Sequence, residues 1–286
     1  MACYHPIPAY YHGPCGTVDL WPPVGEENLN LPCGACLGCR TDRALDWAHR
    51  AVHEAQSWDN NCFLTLTYND ESRPSRGELI PAHLRDFIKR LRRYRDYASS
   101  AVLSDRTGSV RYLAAGEYGE QFGRPHYHLC LFNCDFSDKY EVAKSLAESP
   151  ALAKLWTFGN HRLGTLTAAS ANYVAQYTIK KQGTSYCSPD GELLPPPFLR
   201  MSLKPAIGTK WLIKNQNDLL YGYLVTEGNK GRIPRTYRTK LVSLDPAKAE
   251  QIAYLASKAP RKTDNLVAAE AIHMRRVALA ALQKGR

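Results

Sequence analysis

The sequence predicts an α+β protein, a mixed α/β fold with one sheet and helices on at least one of its faces. Residues 62–68 alternate apolar and polar side chains and contain threonine and aromatic residues, as a half-buried strand does. A second apolar run covers residues 126–132, and a one-sided apolar helix begins near Pro81. With the segments between and after them, these predict the order strand, helix, two strands, helix, strand, helix.

The N-terminal segment differs from the rest of the chain. Residues 1–40 are rich in proline, glycine, cysteine and tyrosine and show neither a helical nor a strand period. We therefore expect a bound metal to order them. Residues 41–57 predict a helix, because Thr41 can cap it and apolar residues recur at helical spacing.

The central elements follow from periodicity. Residues 81–97 carry apolar side chains on one side and arginine and lysine on the other, which predicts an amphipathic helix. Residues 109–117 and 126–132 predict two strands. Residues 139–156 predict a helix, and short strands are expected near Gly164.

The last elements include a second helix of interest. Residues 168–181 predict this helix, with Ser170 as its N-cap and Gly183 at its end. After a proline-rich loop we expect a short strand at 221–225 and helices, which cover residues 246–258 and 264–283.

Composition favours a polyanionic partner. The chain has 286 residues, a net charge of +10 and a pI near 9.1, and such a balance is typical of nucleic-acid binding. Its apolar runs are far shorter than the roughly 20 residues that a membrane helix needs. The N-terminus has neither the basic nor the apolar region of a secretory signal, so we expect a cytoplasmic protein with no membrane partner.

Nine cysteines are present, and their spacing indicates a metal knuckle. Cys33, Cys36 and Cys39 form C-x2-C-x2-C, and tetrahedral zinc needs a fourth ligand. We expect Cys3, with Cys15, His5 or His12 as alternatives, and an iron–sulfur cluster is the rival to structural Zn²⁺. The remaining cysteines are expected to be buried small apolar side chains: Cys62, Cys130, Cys134 and Cys187.

Two histidines and two tyrosines point to chemistry. On a strand, His126 and His128 would project side by side from one face, with Tyr127 on the other, and two imidazoles in that register can hold a divalent cation. On a helix, Tyr173 and Tyr177 lie one turn apart on the same face. A metal that polarises a phosphodiester and a tyrosine that attacks the phosphorus together indicate an enzyme that cuts DNA.

These blocks, in this order, resemble the HUH-type rolling-circle replication initiators, the replication-associated proteins of gokushovirus-like Microviridae phages. The resemblance covers roughly residues 1–185 and rests on four segments, which are Phe63–Tyr68, Tyr112–His128, the tyrosine helix with Lys180 and Lys181, and Pro32–Arg40. It implies the HUH endonuclease fold, with an antiparallel central sheet flanked by helices, an N-terminal zinc knuckle and a helical C-terminal extension.

The resemblance also implies a division of the chain and a third metal ligand. Residues 1–57 would hold the cysteine-rich segment and first helix, residues 58–185 the nicking and joining domain, and residues 186–286 a basic C-terminal region of unknown role. The family supplies an acidic ligand from the neighbouring strand, which favours Glu117, with Glu120 as the alternative. Two imidazoles and one carboxylate suit Mg²⁺ or Mn²⁺.

The implied activity is a site-specific single-strand DNA endonuclease and strand transferase. It would nick a phage origin through a 5′-phosphotyrosine link at Tyr173 or Tyr177, with Lys180 stabilising the charge on phosphorus. The expected DNA contacts are Arg85, Lys89, Arg92, Arg93, Arg124 and Lys181. The partners are single-stranded origin DNA and, because no Walker motif is present, the helicase and replisome of a bacterial host.

Three alternatives stay open. The chain could be a non-catalytic zinc-containing nucleic-acid-binding protein, in which the histidines are only structural. It could be a plasmid or mobile-element relaxase or transposase of the same chemistry. A phosphodiesterase that uses water as its nucleophile would share the histidines but form no covalent protein–DNA adduct.

Overall fold

The computed structural model describes residues 3–13, 16–97, 101–102, 109–119, 122–180, 185–188, 190–226, 228–257 and 265–284. The chain forms two compact units. One comprises Met1–Arg43 together with Lys258–Arg286, and the other comprises Ala44–Ser257. Across the described residues, no helix combines the length and apolar character needed to cross a membrane.

The helices and strands below are those of the described residues. The helices are α1 (Leu37–Ala55), α2 (Pro81–Tyr97), α3 (Pro150–Leu155), α4 (Ala168–Lys180), α5 (Thr209–Lys214), α6 (Arg235–Leu244), α7 (Pro246–Ser257) and α8 (Leu266–Lys284), with a 3-10 turn at Gln216–Leu219. The strands are β1 (Ile7–Tyr11), β2 (Val18–Leu20), β3 (Leu29–Leu31), β4 (Asn61–Tyr68), β5 (Ala101–Val102), β6 (Arg111–Tyr118), β7 (Pro125–Phe132), β8 (Asp135–Phe136), β9 (Tyr140–Ala143), β10 (Leu146–Glu148), β11 (Gly159–Thr165), β12 (Phe198–Met201), β13 (Leu224–Thr226) and β14 (Asn229–Gly231).

A seven-stranded sheet forms the centre of the unit Ala44–Ser257, with strand order β12-β6-β7-β4-β11-β10-β9. Every pair of neighbouring strands in it is antiparallel. The expected α+β fold with an antiparallel central sheet is therefore confirmed. β7 lies between β4 and β6, with Leu129 opposite Leu64 on one side and Ala114 on the other.

Alternation along β7 divides the sheet into two faces. The first face carries Tyr127, Leu129 and Leu131, which pack in one core with side chains of α2 and α3. The second carries His126 and His128 and is called the histidine face below. Farther along the histidine face, Cys130 and Phe132 of β7 pack with apolar residues of α1 and α4. The strand therefore buries both faces, except where the histidines stand.

The prediction of one helix over residues 139–156 is wrong. The segment forms the hairpin β9–β10 and then the short helix α3. Ser145 adopts φ 64°, a left-handed turn conformation that a continuous helix cannot contain. The Ser149 side chain accepts a hydrogen bond from Leu152 N, and Pro150 follows it, so a helix starts here instead of continuing.

Three other local predictions need correction. Residues 1–40, expected to lack strands, contain the three-stranded antiparallel sheet β2-β1-β3. Ser170 is not the N-cap of α4. Thr167 precedes the helix, and the two side chains exchange hydrogen bonds with each other's backbone N–H, so Ser170 is the inner partner of a capping pair. Cys187, expected to be buried, is exposed. Gly183, the expected end of α4, lies outside the described residues.

The region after β12 contains more structure than its sequence period suggested. The expected strand at 221–225 is β13, which pairs with β14 in a hairpin, and α6 was not predicted. These elements form a core of their own with Trp211, Tyr237 and Ile252. Tyr237 of this core contacts His53 of α1, with 3.0 Å between its hydroxyl and the imidazole Nδ1.

Candidate active site and metal centres

The sheet register places the two histidines together on the histidine face. His126 lies opposite Glu117 of β6, and His128 lies opposite Ala115. The ring centroids of the two histidines are 6.3 Å apart. The expectation that both project from one face of β7 is confirmed, and it follows from the two-residue period of the strand.

Two threonines of β4 orient the imidazoles. Thr65 Oγ1 lies 3.0 Å from His128 Nδ1, and Thr67 Oγ1 lies 3.0 Å from His126 Nδ1. When Nδ1 carries the proton and donates it to threonine, the lone pair is on Nε2, the atom that a metal binds. Sequence reasoning missed this role. The signal is the alternation of threonine on β4, which pairs with the alternation of histidine on β7.

Glu117 is the acidic group of the site. Its Oε1 lies 2.7 Å from His128 Nε2, and the carboxylate is buried, with 5% of the residue exposed. A buried carboxylate beside two imidazoles is a set of ligands that suits Mg²⁺ or Mn²⁺. Glu120, the alternative ligand, lies outside the described residues.

Gly119 leaves space at the metal-facing side of His126. A Cβ added to Gly119 would lie 2.9 Å from His126 Nε2, closer than side chains approach one another. The glycine backbone therefore borders a space in front of Nε2 that any other residue would fill. Among described residues, only the four cysteines below bring three or more candidate ligand atoms within 4.8 Å of one another. The histidine site is accordingly the more open of the two, which suits a metal that also binds substrate.

Tyr173 of α4 lies against this site. Its ring packs edge-on against His128, with 5.1 Å between the ring centroids, and against Phe63 at 6.3 Å. Residue Tyr173 is 37% exposed, while Val174 and Ala175 beside it are buried under the helix. The helix thus holds the phenol at the surface, next to the histidines. The side chains of Tyr177 and Lys180, and all of Lys181, lie outside the described part of the chain.

Most of the expected DNA contacts lie elsewhere. The apolar side of α2 packs against the face opposite the histidines, so the exposed side chains of Arg85, Lys89 and Arg93 point away from the histidine face. Arg92 donates two hydrogen bonds to Val110 O, at 3.2 and 3.0 Å, and helps to hold α2 on the sheet.

Arg124 is the expected contact that lies near the site. It precedes Pro125 and His126 in the chain, and its guanidinium donates to Tyr68 O at 3.2 Å. The same guanidinium forms an ion pair of 2.7 Å with the exposed carboxylate of Asp70. It therefore connects the end of β4 with the β6–β7 turn.

The second candidate centre is the cysteine cluster in the unit Met1–Arg43 and Lys258–Arg286. The sulfur atoms of Cys3, Cys33, Cys36 and Cys39 lie within 4.8 Å of one another, so the cluster could bind a metal such as zinc. Cys3 is thereby the fourth member, as expected. His5 and His12 are engaged by carboxylates, and Cys15 lies outside the described residues.

Backbone N–H groups support thiolates in this cluster. Cys33 N donates to Cys3 Sγ at 3.2 Å, and Cys36 N donates to Cys33 Sγ at 3.3 Å. Burial opposes ionisation of Cys33, but the N–H groups of Cys36 and Ala35 outweigh it and lower the pKa of this thiol to about 7. A thiolate is the form of cysteine that binds a metal.

Known proteins resemble this chain over most of its length. A family model of phage-type replication-associated proteins, described as replication-associated protein ORF2, matches residues 61–182, which run from β4 through α4. Replication-associated protein VP4 of Bdellovibrio phage phiMH2K is 36% identical over 248 residues, which are 83% of this chain and 76% of the relative. No solved structure is significantly similar to the chain.

Two further relatives match shorter parts. Replication-associated protein ORF2 of Spiroplasma virus 4 is 37% identical over 204 residues, which are 67% of this chain and 60% of the relative. Replication-associated protein ORF4 of Chlamydia phage 1 is 32% identical over 173 residues, 57% of this chain and 41% of the relative. The matched parts contain the strands that carry the histidines. The chain belongs to the Microviridae-type family of phage replication-associated proteins.

Proposed function

We propose that this protein is a site-specific single-strand DNA endonuclease and strand transferase of the HUH type, which initiates and terminates rolling-circle replication of a phage genome. The observation that carries the proposal is the contact between Tyr173 and His128 on the face where the second histidine and Glu117 also lie. The names of the relatives, replication-associated proteins of phages, support a role in phage DNA replication.

The metal ligands that we propose are His126, His128 and Glu117. Mg²⁺ or Mn²⁺ bound there would polarise the scissile phosphodiester. Thr65 and Thr67 keep Nδ1 of each imidazole occupied, so that Nε2 faces the ligand. Gly119 keeps the space in front of His126 clear.

Tyr173 is the nucleophile that we propose for the first cut. Its phenolic oxygen forms a bond to phosphorus, the bond from phosphorus to the 3′ oxygen breaks, and the leaving 3′ oxygen takes up a proton. The products are a 5′-phosphotyrosine and a free 3′-OH, which can prime synthesis. Tyr177, one turn along the same helix, can repeat the transfer on the returning strand, and Lys180 would stabilise the charge on phosphorus.

The partners that we propose are single-stranded origin DNA and, in the host cytoplasm, a helicase and the replisome of the bacterium. Arg124 and Lys181 would contact DNA near the cut. Arg85, Lys89, Arg92 and Arg93 would contact a different stretch of the strand, because α2 packs on the face opposite the histidines.

The test uses origin single strands and Mn²⁺, followed by a denaturing gel for covalent adducts. His126→Ala, His128→Ala and the double variant Tyr173→Phe with Tyr177→Phe should bind DNA and form no adduct. Tyr140→Phe is the matched control, since Tyr140 is an exposed tyrosine on the edge strand β9. A wild-type protein that binds origin DNA but neither nicks nor links to it would favour the non-catalytic alternative. An adduct that persists in the tyrosine double variant would assign the nucleophile elsewhere.

We further propose that the four cysteines hold one structural Zn²⁺. Four protein ligands leave no open position for substrate, so the metal would order the unit Met1–Arg43 and Lys258–Arg286. Elemental analysis should find about one zinc per chain. Strong chelation should melt this unit before the central sheet, and a protein that carries iron instead would overturn the zinc assignment.

A further inference from the structure

We propose a nucleotide-binding pocket beside the histidine site that takes one nucleotide of the single-stranded DNA substrate. This inference rests on the proposed nicking function. The pocket has a volume of about 340 Å³ and is built from three chain segments, which are Arg73–Gly77, Phe122–Pro125 and Cys187–Leu194. Its volume is at the small end of the range for ligand pockets, roughly 300–1,000 Å³.

The topology of the sheet places this pocket next to the site. β4 and β6 end where β7 begins, and this edge of the sheet carries Thr67, Glu117 and His126. The first two pocket segments follow β4 and precede β7 directly. Gly119 N donates to Arg124 O at 2.9 Å, so the turn that borders His126 on one side continues into the pocket wall.

The pocket offers a platform for a base. Phe122 is 82% exposed, although it is a large apolar side chain. The glycine that follows, Gly123, has φ 61°, and this left-handed turn lets the chain present Phe122 outward. Stacking of an unpaired base on an exposed aromatic ring is worth roughly 1–3 kcal/mol and is tolerant of sequence.

The pocket also offers cations for phosphate. Arg73, Arg76 and Arg124 all line it. Arg76 pairs with Glu192 at 3.1 Å and Arg124 with Asp70 at 2.7 Å, and the carboxylate partners are 58% and 81% exposed. Ion pairs this exposed are weak, so a phosphate can displace the carboxylates. One aromatic ring with three guanidinium groups matches a nucleotide of a DNA strand in chemistry.

Cys187 supplies a direct readout, because it lines the pocket and is exposed. The protein is treated with iodoacetamide, with and without a saturating dT15 oligonucleotide and with no Mg²⁺ or Mn²⁺, so that no strand is cut. Mass spectrometry follows the tryptic peptide that ends at Arg200. We expect bound dT15 to slow alkylation of Cys187 at least fivefold. Unchanged alkylation at saturation, verified by anisotropy, would overturn the pocket.

Variants test the stacking ring and the charge. Phe122→Ala should weaken dT15 binding about tenfold, Phe122→Trp should retain it, and Arg76→Gln should reduce the salt dependence of binding by about one phosphate contact. Tyr140→Ala, an exposed aromatic on the far edge of the sheet, is the control and should bind as the wild type does. Equal affinities of Phe122→Ala and Tyr140→Ala would contradict the proposal.

Two further outcomes separate this pocket from other assignments. If free dTMP protects Cys187 as well as dT15 does at equal concentration, the pocket holds a free nucleotide and the assignment to the DNA strand is overturned. If the wild type forms no adduct with any origin strand while dT15 protects Cys187 and Phe122→Ala loses binding, the nicking function fails and the pocket stands. Adduct formation with an unprotected Cys187 is the converse result.

Discussion

At the residue scale, a few small side chains set the geometry around His126 and His128. The sequence predicted both histidines and Glu117, because alternation on a strand and the resemblance to a family are local signals. It could not assign Thr65 and Thr67 as their hydrogen-bond partners. That assignment needs the register between β4 and β7, which lie about sixty residues apart, as in the pair Thr65 and His128.

Gly119 gives the sharpest prediction at this scale. Its backbone is not left-handed, so alanine is conformationally allowed, but the new Cβ would press on His126 Nε2 at 2.9 Å. Gly119→Ala should therefore slow nicking, by up to about 100-fold, while the free energy of unfolding changes by less than about 1 kcal/mol. Single-turnover nicking and thermal unfolding measure the two effects.

Gly164→Ala is the matched control for this change. A Cβ at Gly164 of β11 would meet Ser145 O at 3.7 Å, which is an ordinary contact. Its nicking rate should equal that of the wild type. If Gly119→Ala also nicks at the wild-type rate, the space in front of His126 is not needed by the metal or the substrate.

At the scale of elements, periodicity predicted the strands and helices that form the site, and it failed where capping decides. β4, β7, α2 and α4 begin and end within about a residue of their predicted bounds. Residues 139–156 do not form one helix, because Ser149 and Pro150 start a short helix and Ser145 takes a turn conformation. A hydrophobic period alone does not show such a break.

Buried polar contacts between α1, β6 and the segment before α5 were also not visible in the sequence. Glu54 Oε1 accepts hydrogen bonds from Arg111 Nε at 2.5 Å and Trp58 Nε1 at 3.1 Å. Its other oxygen accepts from Gly208 N at 2.7 Å. These groups lie far apart in sequence, and Glu54 is 1% exposed.

Replacement of Glu54 should therefore be costly. Glu54→Gln leaves Arg111 buried without a carboxylate and points an amide N–H₂ at a donor. We expect a loss of about 3–5 kcal/mol in the free energy of unfolding, measured by urea denaturation. Asp86→Asn, which breaks the exposed pair with Arg85 on α2, should cost less than about 1 kcal/mol. Similar losses in both variants would show that burial of the Glu54 pair is not the cause.

At the scale of the whole unit Ala44–Ser257, the residues after β12 pack on α1 through stacked rings. The imidazole of His53 stacks on Trp211 with 3.5 Å between the centroids, and Tyr237 stacks beyond it at 5.8 Å. The basic character of the C-terminal third was readable from composition. Its packing on α1 was not, since His53 and Tyr237 are 184 residues apart.

This stack predicts how stability depends on pH. Burial, with a contribution from His49, lowers the pKa of His53 to about 3, whereas an unfolded histidine has a pKa of about 6.5. Between those values the unfolded chain binds the extra proton, so stability is complete above pH 6.5 and falls as the pH is lowered towards 3. His53→Gln should flatten this fall by up to about 1.4 kcal/mol per pH unit, measured by urea unfolding between pH 6.5 and 5.

Tyr237→Phe separates burial from hydrogen bonding in that experiment. It keeps the ring against His53 but removes the hydroxyl that lies 3.0 Å from Nδ1. If burial is the cause, this variant loses about 1 kcal/mol at pH 7 and keeps the wild-type dependence on pH. A Tyr237→Phe protein with the flattened profile of His53→Gln would assign the low pKa to the hydroxyl instead. Because Tyr237 belongs to α6 and His53 to α1, either result measures how the C-terminal helices stabilise the helix that covers the histidine face.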